Sequence, residues 1–498
     1  MALREHTLHE RILENARCAP DAPAFICGDT QLSFREFAVQ VERLSKGLRK
    51  IGLHPGSRVA VLLDNGIEAM TLYAACVRAS LIAVGLNIRT SPDEMVLVLQ
   101  RTQPGLLVGQ EKYAEVLAVL KPMVPECVSL EGVSTERSFT DLLDPDFSAF
   151  GEPAPSLDSG CVIIPTAAVA GEPKGALLSQ RNLWASCRVH QLHFGLDTLR
   201  GHLGIMPLFH VMGLTSAWAT FVSGGTTVLL PAFDPATAVA AIDAHKLTYF
   251  GSFPPILGRI LDAAQASDSR LPSLRAVYGL DGPDNIQRLH QETSAEFWTG
   301  FGQAETTAFV TAGRAMDRPG ASGRASLMNT VTLVNDLDEP VSNGEAGEIV
   351  VRGENVMLEY WGMREETDYA FRNGWHHTGD IGRFDEQGHL HYVKRKAEKE
   401  LIKTGGENVY PGEVEAVLLR HSDIVACCVI GIADKTWGES VKALCVPKPG
   451  ASPEIEEVRE FVGRQIAGFK KPRIVEFVED LPLKEGEIDR EAVKAQFG

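Results

Sequence analysis

Pro165-Thr166-Ala167-Ala168-Val169-Ala170-Gly171-Glu172-Pro173-Lys174-Gly175 follows an apolar run, Cys161-Val162-Ile163-Ile164, and precedes a helix-like segment that Ser179 would cap. The order strand, Gly/Lys loop, helix is how proteins hold phosphates on backbone N–H groups. The middle of this loop departs from that use. It carries Ala, Ala, Val and Ala where phosphate binding calls for Gly, which lets the backbone approach, and for hydroxyl donors. Taken alone, the stretch reads equally well as a strand-to-helix turn with no ligand.

Outward from the loop, helical and strand-like patterns alternate. Residues 34–51 read as an amphipathic helix opened by Ser33 and Glu36, spaced as a capping box. Residues 58–63 read as a buried strand, 67–79 as a helix and 81–84 as a second strand. Such alternation predicts an α/β fold of largely parallel sheets covered by helices. Over 331–353 the period falls to two, with Gly344 and Gly347 as turn signals, which predicts a small antiparallel, barrel-like piece.

Residues 393–400 form a charged run with Lys394, Arg395, Lys396, Glu398, Lys399 and Glu400. We expect a domain boundary there, dividing the chain into 1–394 and 395–498. The second part carries a continuous apolar run, 424–430, that reads as a buried strand, with helical patterns at 412–420 and 455–466.

A chain of 498 residues exceeds one ordinary core. At 44% hydrophobic and 23% charged residues it has the composition of a globular protein rather than a disordered one. The net charge of −17 argues against a nucleic-acid partner. The first thirteen residues lack the apolar core of a signal peptide, and no apolar stretch approaches a membrane span. Nine cysteines without a C-x-x-C pair point to a reducing cytoplasm, with Cys427-Cys428 as core. His202 and His210 stand eight apart and His376-His377 are adjacent in an expected loop, so structural zinc is not expected.

Four further stretches carry a resemblance. Pro207-Leu208-Phe209-His210-Val211, Gly300-Phe301-Gly302-Gln303-Ala304-Glu305-Thr306, Gly374-Trp375-His376-His377-Thr378-Gly379-Asp380 and residues 399–411, with Gly405-Gly406-Glu407-Asn408 at their centre, occur in this order. Together they resemble, nearly end to end, the superfamily of acyl-CoA synthetases, peptide-synthetase adenylation domains and luciferases. In that family the loop at Thr166 reads Thr-Ser-Gly-Thr-Thr-Gly and embraces ATP. Here Thr166 and Gly171 survive, followed by Pro173-Lys174-Gly175. The resemblance implies a large N-terminal domain, a hinge in the charged run and a small mobile C-terminal α+β lid. The lid takes one pose to form an acyl-adenylate and another to pass the acyl group to CoA.

Roles follow from the same resemblance. His210 would gate the acyl carboxyl, although a histidine between apolar neighbours also reads as core. Glu305 would hold Mg²⁺, with Ala304 in place of a hydroxyl-bearing neighbour. Asp380 would accept the ribose hydroxyls of AMP, with Arg395 close by and Phe301 and Gly302 alongside. Asp281 and Gly282, within Leu280-Asp281-Gly282-Pro283, stand where smaller residues usually meet adenine. Gly405 and Gly406 would line the passage for the pantetheine arm of CoA. Trp437, Lys470 and Lys471 are candidates for its adenine and phosphates. Phe209, Phe253, Pro254, Leu280 and Phe301 suggest a hydrophobic, cyclic acyl group.

The C-terminus decides between readings. The family ends with Leu-Pro, a short loop and Gly-Lys, whose lysine reaches the α-phosphate during adenylation. This chain has Leu481-Pro482-Leu483-Lys484-Glu485-Gly486-Glu487, with Glu487 in the lysine's place, Lys484 before the glycine and a loop one residue shorter. Losing one positioned donor to a developing oxyanion costs about 2.7–4 kcal/mol. A carboxylate in its place adds repulsion of up to about 4 kcal/mol per charge pair at about 4 Å.

Positions Ala167, Ala168, Val169, Ala170 and Glu487 thus weaken one half-reaction, while the matches to the other persist. The reading is a ligase making acyl-CoA from an acyl-adenylate and CoA. It resembles the non-adenylating acyl-CoA ligases of natural-product pathways, in which a separate enzyme supplies the adenylate. A complete ATP-dependent synthetase with Lys484 recruited, and a non-catalytic adenylate-binding protein, remain as alternatives.

Overall fold

The structure is a computed structural model that describes residues 6–144, 155–169, 172–195, 201–395, 401–484 and 487–498. Ala170 and most of the charged run, residues 396–400, lie outside the described residues, and for Ala167, Ala168, Val169 and Glu487 the description is of backbone alone.

Two sheets dominate the large N-terminal domain. One has a parallel centre of Glu296–Thr299, Ala276–Gly279, Tyr249–Ser252, Gly201–Gly204, Thr226–Leu229 and Pro23–Cys27, in that spatial order. The other runs Gly160–Val169, Ile82–Gly85, Arg58–Leu62, Leu106–Gly109 and Glu126–Ser129, again parallel. The expected strand–helix–strand unit is present as Arg58–Leu62, helix Ile67–Arg78 and Ile82–Gly85. Helix Phe34–Lys50 starts at the expected capping box: Ser33 N–H donates to Glu36 Oε2 at 2.8 Å, and Glu36 N–H donates back to Ser33 Oγ at 3.2 Å.

Helix Val211–Val222 has no solvent face. Trp218 and Phe221 are 1% exposed, and Phe221 packs its ring on Phe25, Phe34 and Phe37. A helix apolar all round belongs in a core. Its hydroxyls are satisfied internally: Thr215 and Ser216 donate to Val211 O and Met212 O, four residues back. This buried helix begins immediately after His210, so the core fixes where that imidazole stands.

The stretch from Pro165 to Gly175 is not a strand-to-helix loop. Gly160–Val169 and Glu172–Ser179 pair as an antiparallel hairpin, with Thr166 opposite Lys174 and Pro165 opposite Gly175. Ala176, Leu177 and Leu178 continue the second strand into the core, and only then does helix Gln180–Phe194 start, capped by Ser179 as expected. The phosphate-loop frame is therefore corrected: the helix N-terminus is spent on Ser179 and Asn182 rather than on the loop.

Residues 329–395 give an antiparallel sheet, Asn329–Val334, Ala346–Gly353, His376–Phe384 and Leu390–Arg395. It follows the period-two pattern, but among the described residues its end strands are not paired, so it is an open sheet. His376 and His377 open a strand instead of sitting in a loop, because both side chains are buried, and His377 pairs with Glu348.

The small C-terminal domain is built on strands Glu407–Val409, Ile402–Thr404, Gly438–Pro447, Ile424–Asp434 and Ile474–Phe477. Helices Pro411–Leu418 and Ile455–Gly463 cover it, and Cys427, Cys428 and Cys445 are buried in it. All nine cysteines are free thiols. Among the described residues no helix is long and apolar enough to cross a membrane.

Candidate functional site

Ligands of parallel α/β sheets sit beyond the carboxyl ends of the strands. Four chain segments leave one sheet at that edge. The segment after Gly201–Gly204 carries Phe209 and His210, and Phe253 follows Tyr249–Ser252. Leu280 and Asp281 follow Ala276–Gly279, and residues 300–305 follow Glu296–Thr299. The C-terminal domain docks here.

One of its buried contacts is Glu407. One oxygen lies 3.2 Å from His210 Nε2 and accepts from Arg89 at 2.8 Å; the other accepts from Asn87 Nδ2 at 3.0 Å. Burial would raise this carboxyl, but His210 and Arg89 outweigh it and bring it from 4.5 to about 2. A carboxyl held low in the folded state contributes stability above its ordinary value and loses it as pH falls through the folded one. Thermal melting should therefore turn acid-sensitive between pH 4.5 and about 2. Glu407→Gln should blunt that sensitivity, and an unchanged acid profile in the variant would remove the contact's role.

Beside Glu407, the turn Gly405-Gly406 has positive φ at both residues, +59° and +86°. A Cβ at Gly405 would lie 2.8 Å from the Trp437 ring, and one at Gly406 3.3 Å from Phe253. The two glycines thus pass between a ring of the C-terminal domain and one of the N-terminal domain. Arg473 stacks over Trp437 at 4.6 Å, adding a cation that sequence reasoning missed.

Asp380 is buried under Arg395, which donates to its two oxygens at 2.8 and 3.2 Å, and Gln303 donates to the same carboxylate. Burial works against the Arg395 cation, yet Asp380 holds its pKa above the ordinary value. A third group joins Glu305, Tyr360 and Lys174. The Tyr360 hydroxyl, kept protonated first by burial and then by Glu305, donates to Glu305 at 2.9 Å. The Lys174 ammonium lies 4.8 Å over the Tyr360 ring. The surviving Thr166 hydroxyl donates to Lys174 O at 3.2 Å, inside the hairpin. Tyr410 lies within electrostatic reach of both groups: burial first raises its hydroxyl to about 12, with Arg395 opposing and Glu305 adding.

Other candidates stand differently. Phe301 packs its ring with Val310, Leu333, Ile349 and Val351, leaving the exposed backbone of Gly302 at the edge. Asp281 turns back on its own helix, accepting from Gly282 N–H and Asn285 Nδ2, both at 2.8 Å, while Leu280 is exposed beside the exposed Gly282. Phe209 is buried with its ring against His210. Lys471 lies 3.5 Å from Glu456.

Lys470 is a correction. A free ammonium for CoA phosphate is replaced by one that is 4% exposed and already bound to Glu94 and Glu413. Sequence reasoning also missed Asn87, Arg89, Tyr360 and the pairing role of Glu407. The last sits inside a recognised stretch; the others carry no local signal.

The fold and this edge site define an AMP-binding enzyme. The chain belongs to the AMP-binding enzyme family, which it matches over residues 12–361, with the AMP-binding enzyme C-terminal domain at 413–486. It is 32% identical over 507 residues, covering 100% of both chains, to a feruloyl-CoA synthase of Amycolatopsis sp. It is 31% identical over 486 residues, 95% of each chain, to an indoleacetate–CoA ligase of Aromatoleum aromaticum. Among solved structures it is similar to the amide bond synthetase McbA from Marinactinospora thermotolerans, with TM-score 0.87, 28% identity and coverage of 99% of this chain and 100% of that one.

Proposed function

We propose that this chain is an acyl-CoA ligase whose working step is the transfer of an acyl group from acyl-adenylate to CoA. The observation that carries this reading is the docking of the Gly405-Gly406 turn on Phe253, with Glu407 on His210 and Arg89. The CoA thiolate attacks the carbonyl carbon of the mixed anhydride, the bond to the phosphate oxygen breaks, and AMP leaves with the electron pair.

In this reading side-chain-free Gly405 and Gly406 admit the pantetheine arm between Trp437 and Phe253, and Trp437, Arg473 and Lys471 face the nucleotide end of CoA. Asp380 takes one ribose hydroxyl: a carboxylate has about four lone-pair sites, and Arg395 and Gln303 occupy three, leaving one. Phe209 and Phe253 favour an aromatic or other bulky apolar acyl group, in keeping with the acids named for the two relatives. The acyl-adenylate would come from another adenylate-forming enzyme.

Mg²⁺ fits Glu305 in donor chemistry, since a carboxylate oxygen together with nucleotide phosphate oxygens suits a hard cation. Bound there, it would neutralise phosphate charge. The Lys174–Tyr360–Glu305 group favours a second reading, a complete ATP-dependent synthetase, because it retains a cation and a carboxylate where phosphates would lie.

One pair of assays separates the two. We expect thioester formation from synthetic feruloyl-adenylate and CoA, and ATP–pyrophosphate exchange with ferulate at least about 10²-fold slower, the cost of losing one oxyanion donor. Exchange at a rate comparable to thioester formation would establish the complete synthetase instead.

A further inference from the structure

Two segments run alongside each other across the domain interface, 87–94 from the N-terminal domain and 407–413 from the C-terminal one. One end of the pair is joined by Asn87 and Arg89 on Glu407. The other end is joined by Lys470. Its ammonium donates to Glu413 Oε2 at 2.7 Å and to Glu94 Oε1, and it is buried.

Both carboxylates are set in advance by helix caps. Glu94 closes the capping box of helix Pro92–Thr102, its Oε2 accepting from Ser91 N–H at 2.7 Å and Ser91 Oγ at 2.8 Å. Glu413 does the same for helix Pro411–Leu418, its Oε1 accepting from Tyr410 N–H at 3.0 Å. In each case the oxygen left over by the cap is the one that meets Lys470. Ala467 N–H adds a donation to Glu94 Oε2 at 3.2 Å.

The bonds to Glu413 and Glu94 differ in kind. Lys470 and Glu413 belong to the same small domain and travel together. Glu94 belongs to the large domain, so its bond to Lys470 exists only while the small domain is docked as seen here. Without the ammonium, two half-buried carboxylates from opposite domains would face one another and repel. We propose that Lys470 is a positioning residue for thioester formation: it pins 407–413 onto 87–94 and so holds Glu407 against His210. This rests on the reading of the docked pose given above.

The test uses the full chain with Lys470→Met, which keeps length and removes charge, and Glu94→Gln, which acts from the other domain. Gln also closes a capping box, so the helix at Glu94 keeps its start. The readouts are single-turnover thioester formation from feruloyl-adenylate and CoA, the dissociation constant for feruloyl-adenylate, the melting midpoint and small-angle X-ray scattering.

Each single variant should slow thioester formation about tenfold, and the double variant should be no slower than the slower single, as for two residues acting through one contact. Adenylate affinity should stay within about twofold, because neither Lys470 nor Glu94 is among the side chains gathered around Asp380 and Glu305. The scattering profile of Lys470→Met should depart from that of the docked pose. Unchanged rates and scattering in both variants would overturn the proposal. So would a loss of rate matched by equal losses of adenylate affinity and melting midpoint, the mark of a merely structural lysine. If the wild type forms no thioester, the proposed function fails while the scattering comparison still decides the latch.

Discussion

Gly406→Leu is expected to reduce thioester formation by at least about 10²-fold, since displacing a reacting group by about 1 Å already costs that much. Acyl-adenylate affinity should barely move. Two effects contribute and can be separated. The backbone at Gly406 has φ +86°, a region that costs an L-residue about 1–2 kcal/mol. The new side chain starts 3.3 Å from Phe253 and must extend into the space beside it, the proposed path of the pantetheine arm. Gly406→Ala carries the same backbone strain and adds only the first carbon, so it should lose far less than Leu. Equal losses in Ala and Leu would assign the effect to strain; full activity in Gly406→Leu would show that CoA enters elsewhere.

What the sequence disclosed and what it hid divide along a physical line. The capping box at Ser33 and the cap at Ser179 are written within a few residues, and the structure has both. The buried strands read at 58–63, 81–84 and 424–430 stand at 58–62, 82–85 and 424–434; they were legible because each run is short and rich in Val and Ile, which favours a strand over a helix. The hairpin at 160–179 was missed because Gly171-Glu172-Pro173 punctuates like a loop. The apolar residues after it do not distinguish a second strand from a helix start.

The site shows the same division more sharply. His210 and Glu407 were each inside a recognisable stretch, yet they are 197 positions apart, and nothing in either stretch announces their contact. Lys470 read as a candidate for CoA phosphate, with no sign of its N-domain partner, Glu94, which lies 376 positions away. Burial and pairing are properties of the folded chain, and a lysine carries no mark of either in its neighbours.

On the proposed reading, Glu487→Lys is expected to leave ATP–pyrophosphate exchange as slow as in the wild type, even though it recreates the Gly-Lys pair that the family resemblance assigns to adenylation. Position 487 pairs in register with Lys484 across a hairpin, and directly opposite positions share one face. An introduced lysine there meets a like charge, which pushes it off any single placement. The loop before it is also one residue short, and a misplacement of about 1 Å costs about 10²-fold.

The hairpin at the other end of the proposed phosphate site is unchanged by this substitution. Its one retained hydroxyl, Thr166, already donates to Lys174 O, and Ala167, Val169 and Ala170 offer none. Recovery should require Thr-Ser-Gly-Thr-Thr-Gly at 166–171 together with the lysine. The single and the double construction therefore give a graded answer. Exchange restored by Glu487→Lys alone would show that the alanines are neutral and that one charge separates this chain from a complete synthetase. Exchange restored only by both would show that two distant parts of the adenylation machinery have been lost independently.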